Sequence, residues 1–232
     1  MNYMTWGYES PFTILLSIIA IVIVVYAQSM INQAYKKYKM VKNKKNMSGA
    51  EAARMILDAN GLNDLYVVET KGELTDHYDP ARKVIRLSKS IFHGDTIAAI
   101  SVAAHEVGHA IQDKEGYKMM KIRHTLVPFV NLISYLGYFG IIISIFAGIT
   151  GYFFVSILVL CATLLFQLVT LPVEFDASKR AKEQLVKLNL TDNTETEQVE
   201  KMLKAAAMTY VASLASNILN LLRIIIMAQD RD

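Results

Sequence analysis

A mostly helical α+β domain joined to three or four membrane-crossing helices is the fold class this sequence predicts. Three observations lead there. Apolar side chains make up 53% of the 232 residues, while Asp, Glu, Lys and Arg make up only 19%, below the roughly 25% usual for soluble domains. The apolar excess is gathered into long uncharged runs with lysine-rich flanks. Between the first and second runs lies a more polar stretch with helix caps and two short β-rich segments, the raw material of a compact domain.

The first run, residues 11–31, carries no charge and is about long enough to cross a bilayer. No Lys or Arg precedes it, and it is longer than the apolar part of a signal peptide, so an uncleaved span is expected. Lys36, Lys37, Lys39, Lys42, Lys44 and Lys45 follow at once, whereas residues 1–10 hold only Glu9 as a charge. Basic flanks resist translocation, which places residues 1–10 outside and residues 32–125 in the cytoplasm. Residues 126–148 and 152–171 form two further apolar runs with a short turn at Gly151. Both outer flanks are basic (Lys118, Lys121 and Arg123 before, Lys179, Arg180 and Lys182 after), so this hairpin enters from the cytoplasm and returns there. Residues 172–208 are then cytoplasmic. Residues 209–228 are apolar but interrupted by Asn217, Asn220 and Arg223, and are expected to form a fourth membrane helix.

Within residues 32–125, Ser48 and Glu51 have capping-box spacing ahead of Ala52, Ala53, Ile56 and Leu57, and Asn60-Gly61 closes that helix. Leu65–Val68 and Val84–Leu87 read as strands, with turns at Gly72 and Asp79-Pro80. Asp95 is expected to cap a helix over residues 96–112, and Thr194 with Glu197 to cap the last one.

His105-Glu106-Val107-Gly108-His109 lies inside the predicted 96–112 helix. Residues four apart share a helix face, so both imidazoles can reach one metal ion, with Glu106 beside it but not bound to it. Such a site points to zinc, which polarises a carbonyl and lowers the pKa of water, with Glu106 as the catalytic general base. Gly108 leaves room for close packing between the two histidines, at about 1 kcal/mol of helix propensity relative to Ala. Cys161 is the single cysteine and sits in an apolar run, so neither a disulfide nor a thiolate metal site is available. A catalytic zinc needs a third protein ligand and an open position. His77, His93 and His124 are candidates. Stronger ones are Glu174 and Asp176, because acidic residues at the end of an apolar span are costly unless used. Glu174 is favoured, which makes the expected metal set His105, His109 and Glu174. The competing reading places Pro172 in the first turn of a helix and makes the acids an interface marker.

At these residues the sequence resembles the YugP-like bacterial membrane zinc metallopeptidases. The resemblance rests on His105 through Gln112, the following hairpin, Leu171 through Ser178, and Asp76 through Ser88. It covers nearly the whole chain and implies a zincin-like metallopeptidase domain fused to the membrane helices. More distantly the order is similar to peptidases of the HtpX and CAAX-processing type, which implies a glutamate on a later helix as third ligand. In those relatives an Asp often stands four residues further on. Here that residue is Ser178, so Asp176 takes the supporting role or is itself the ligand. The relatives also offer a free strand edge to an extended substrate, a part that Val84–Leu87 could play.

The expected function is peptide-bond hydrolysis by a zinc-activated water at the cytoplasmic face of the cell membrane. The expected partners are a polypeptide substrate and the lipid bilayer. Tyr210 and His77 are candidate donors to the developing oxyanion. A net charge of +3 without a basic–aromatic tract argues against nucleic acid. The alternative is a zinc-binding membrane scaffold or peptide-binding module without catalysis.

Overall fold

The computed structural model describes residues 10–147 and 152–229. The expected hairpin tip and residues 1–9 lie outside that range. Helix α1 (Pro11–Tyr38) starts where Ser10 accepts the Thr13 N–H and Pro11 takes the first turn. It runs on past Ile31, because nothing in Asn32–Tyr38 breaks a helix and Tyr35 and Tyr38 are buried against the domain. Its basic end is tied down by ion pairs from Lys39 to Glu73 and from Lys42 to Asp95, and by a contact of Lys44 with Asp192. These lysines thus have a structural use in the fold.

Helix α2 (Gly49–Ala59) has the expected capping box, with Ser48 N–H donating to Glu51 Oε2 at 2.8 Å and Glu51 N–H to Ser48 Oγ at 3.2 Å. Its Ala52, Ala53, Ile56 and Leu57 are fully buried, and Gly61 ends it with a left-handed φ of 63°. Strands β1 (Tyr66–Thr70), β2 (His77–Asp79) and β3 (Val84–Ser88) form a sheet in the order β1-β3-β2, parallel between β1 and β3 and antiparallel between β3 and β2. Strand β3 is therefore central. Val84, Ile85 and Arg86 have a partner on each side, so this run is not a free edge for a substrate strand; the edge beside the next long helix belongs to β2, which is too short to show a period in sequence.

After the short α3 (Lys89–Phe92) comes α4 (Ile97–Lys114). Its cap is Thr96, which accepts the Ala99 N–H at 3.2 Å, rather than Asp95, whose carboxylate is drawn to Lys42. Helix α4 is buried along most of its length and packs against α2, α3, the sheet, α6 and α7. Helix α5 (Lys118–Ala147) pairs with α6 (Tyr152–Lys187), with Gly137 against Val159 at a spacing no Cβ would allow. Helix α6 passes through Pro172 without a break, so the acidic segment is its rigid continuation and not a new helix. Helix α7 (Asn193–Gln229) is capped by Asp192 and Glu195, not by Thr194 and Glu197. Glu195 N–H donates to Asp192 Oδ1 at 2.8 Å and Asp192 N–H to Glu195 Oε2 at 3.1 Å.

Among the described residues, three helices, Pro11–Tyr38, Val155–Lys187 and Asn193–Met227, are long and apolar enough to cross a membrane. Only 17%, 6% and 6% of their most apolar stretches is buried inside the protein. Apolar helices so poorly covered by protein need another apolar medium.

Candidate metal centre

His105 and His109 stand one turn apart on α4, with ring centroids 4.8 Å apart and planes at 81°. Helix α6 brings Glu174 to both. Its Oε2 lies 3.2 Å from His105 Nε2 and 3.6 Å from His109 Nε2. Two ligands held about 2.0–2.2 Å from a tetrahedral zinc are about 3.4 Å apart, so the spacing suits that ion. Among the described residues, His105, His109 and Glu174 form the one such His/Cys/Asp/Glu group, with ligand atoms within 4.8 Å of one another.

The outer nitrogens are held too. Gln112 is fully buried, and its amide nitrogen donates at 2.8 Å both to the Val173 carbonyl and to Asp176 Oδ2. Its Oε1 is thereby turned to His109 Nδ1, 3.0 Å away, and can only accept. His109 then carries its proton on Nδ1, and Nε2 presents a lone pair to the centre. Ser178 Oγ lies 3.2 Å from His105 Nδ1 and can hold that ring in the same way. Asp176 faces Gln112 and Arg180, whose Nε is 2.5 Å away, and not the imidazoles. The supporting role is thus divided between Ser178 and Asp176. Arg123, at the start of α5, donates from Nη1 to Glu174 Oε1 at 2.9 Å and leaves Oε2 facing the histidines.

Glu106 is buried, and its Oε2 accepts the Tyr78 N–H from β2 at 3.0 Å. Burial pushes its carboxyl up to about 7, with His105 working against the shift and Glu174 and Asp76 adding to it. A divalent cation at the imidazoles would pull in the opposite direction. Asp76 anchors the segment before β2 by accepting the Ser88 N–H at 2.6 Å.

The other histidines do not join the group. His77 is exposed and turned to the Thr75 carbonyl at 2.8 Å, and His93 contacts Glu69 at 2.7 Å. His124 follows Arg123 on α5 and is outside the cluster. In the sequence Arg123 reads only as a topological charge, and Gln112, Asp76 and Tyr78 enter only through the resemblance, with no role assigned. Of these only Gln112 carries a local signal, standing three residues after His109 on one helix face.

Gly108 lets α4 and α6 meet. A Cβ there would lie 2.5 Å from the Ala177 carbonyl oxygen, three residues beyond Glu174 on α6. Gly108→Ala gains about 1 kcal/mol of helix propensity, yet the clash with backbone costs about 1–3 kcal/mol and pushes Glu174 off the imidazoles. The variant is expected to be less stable and to bind zinc more weakly, read by thermal unfolding and metal analysis. A more stable variant with full zinc content would show that the close approach is unimportant.

A cavity of about 320 Å³ opens in front of the cluster, lined by His105, Glu106 and Glu174 and by residues of α1 and α7. Tyr210 of α7 lines it and interacts with Glu174.

Two histidines and a glutamate on one helix, met by a carboxylate from another, is the arrangement of the zinc metallopeptidase class. Residues 13–229 match the family described as "Putative neutral zinc metallopeptidase", and the chain belongs to that family. It is similar to the "Putative membrane protease YugP" of Bacillus subtilis (strain 168), 42% identical over 212 residues that cover 91% of this chain and 94% of the relative. No solved structure matches it.

Proposed function

We propose that this protein is a zinc endopeptidase of the cell membrane that hydrolyses peptide bonds in polypeptides at the cytoplasmic face. The observation that carries the reading is the convergence of His105 Nε2, His109 Nε2 and Glu174 Oε2 beside the Glu106 carboxylate, on the wall of an accessible cavity. His105, His109 and Glu174 would hold zinc, which when bound supplies the Lewis acidity that polarises the scissile carbonyl and makes the attacking water acidic. Glu106 takes the proton of that water and delivers it to the leaving amine. Its oxygen is oriented by the Tyr78 N–H. Tyr210 is the better placed of the two candidate oxyanion donors, since His77 faces away. The basic residues at the inner ends of α1, α5 and α6 support a multi-pass arrangement with residues 1–10 outside and the domain inside.

Metal removal tests this reading. Protein purified in mild detergent is expected to contain about one zinc per chain and to cleave an unfolded polypeptide. A chelator should lower the rate at least about 100-fold, since the Lewis-acid contribution is worth several kcal/mol. Added zinc should restore it and magnesium should not. Full zinc content without hydrolysis of any polypeptide would favour the scaffold instead.

A further inference from the structure

The cavity in front of the cluster has a mixed lining. Besides His105, Glu106 and Glu174 it is lined by Ile31 of α1 and by Met202, Leu203 and Ala206 of α7, with the polar Gln28 and Thr209 near them in sequence. Both helices are apolar enough to cross a membrane. On each helix the cavity falls at the end of the apolar run. Ile31 is the last residue of the run on α1, Glu174 follows the run on α6, and Ala206 precedes the run that starts near Tyr210. Phe175, next to Glu174, is 45% exposed on the outside of α6. With the spans proposed above, three separate helices thus put the bilayer boundary at the level of the cluster.

Size narrows the occupant. About 320 Å³ is at the small end of ligand pockets, roughly 300–1,000 Å³. It has room for a side chain and its adjoining backbone, but not for a helix about 10 Å across. A chain inside the hydrocarbon must stay helical to satisfy its backbone, and at the boundary it can unwind.

We propose that the substrate is an extended segment directly adjoining its own membrane span, with a hydrophobic side chain next to the scissile bond seated against Ile31, Met202, Leu203 and Ala206. This rests on the peptidase reading and names its substrate class. The pocket is continuous with the cluster, so one side chain seated there brings the neighbouring carbonyl to Glu106 and the metal ligands.

The test uses the full-length protein in liposomes with single-span reporters. One cleavage segment with Leu at the pocket position is placed directly after the span, at the end of a long flexible linker after the same span, or in a soluble peptide. The linker form controls for co-localisation on the membrane. The adjoining form is expected to be cut at least about 10-fold faster than the linker form, and the soluble peptide slowest. Ala206→Phe fills the pocket and is expected to shift the preference from Leu toward Ala at that position by about 10-fold or more, the scale of a size change in an apolar pocket. Its zinc content should be unchanged. Equal rates for all three reporters, or an unmoved preference in Ala206→Phe, would overturn the proposal and leave the peptidase reading intact. If the wild-type protein with full zinc cuts neither these reporters nor any unfolded polypeptide, both fall together.

Discussion

Glu106→Gln is expected to abolish hydrolysis while leaving zinc content at the wild-type level. The amide has the size of the carboxylate and still offers an oxygen to the Tyr78 N–H, which donates to Glu106 Oε2 at 3.0 Å. What it lacks is a site to take the proton of the attacking water. A positioned general base contributes about 10²–10⁴-fold, and Glu106 lines the cavity beside the cluster without belonging to the ligand group. Turnover and metal content measured on one preparation decide the matter. A rate within a few-fold of wild type would remove Glu106 from the chemistry, and a loss of metal would make it a ligand.

Glu174→Ala carries the second large effect, and it falls on the metal. With the carboxylate gone, two imidazoles remain where three protein ligands are needed to hold a catalytic zinc. Changes in supporting residues around zinc ligands typically cost 10–100-fold in affinity. Loss of the carboxylate ligand should exceed that, and Asp176→Ala and Ser178→Ala should fall within it. Chelator competition on the purified proteins gives the ranking. Glu174→Gln serves as the control for folding, because it can still accept from Arg123, which in the native protein donates to Glu174 Oε1 at 2.9 Å. If Asp176→Ala loses more zinc than Glu174→Ala, the assigned carboxylate is the wrong one.

The site was unevenly legible in the sequence. His105 and His109 could be placed on one face because the helical period is a local property. The end of α2 at Asn60-Gly61 and its Ser48–Glu51 box were equally readable, each being a short-range exchange of hydrogen bonds. The caps at Thr96 and Asp192 were misplaced by a residue or two, since Asp95 and Thr194 are as suited to capping in isolation. In the fold, Lys42 draws Asp95 away. Strand β2 is a three-residue element, and its neighbours define it better than its own pattern does.

By itself the sequence determined the apolar helices, the basic flanks, the spacing of the histidines and the presence of an acidic segment after a membrane-length run. Each of these follows from neighbours within a turn or two. Only the tertiary structure decided which carboxylate oxygen meets the imidazoles, that Arg123 holds the other one, that Gln112 sets the proton on His109, and that β3 is covered on both sides. The place of β3 comes from its pairing with β1 and β2, and the rest depend on how closely helices approach, the α4–α6 distance being set by a missing side chain at Gly108 against the Ala177 backbone. Contacts between residues far apart in the chain arise from packing, and packing leaves no period to read.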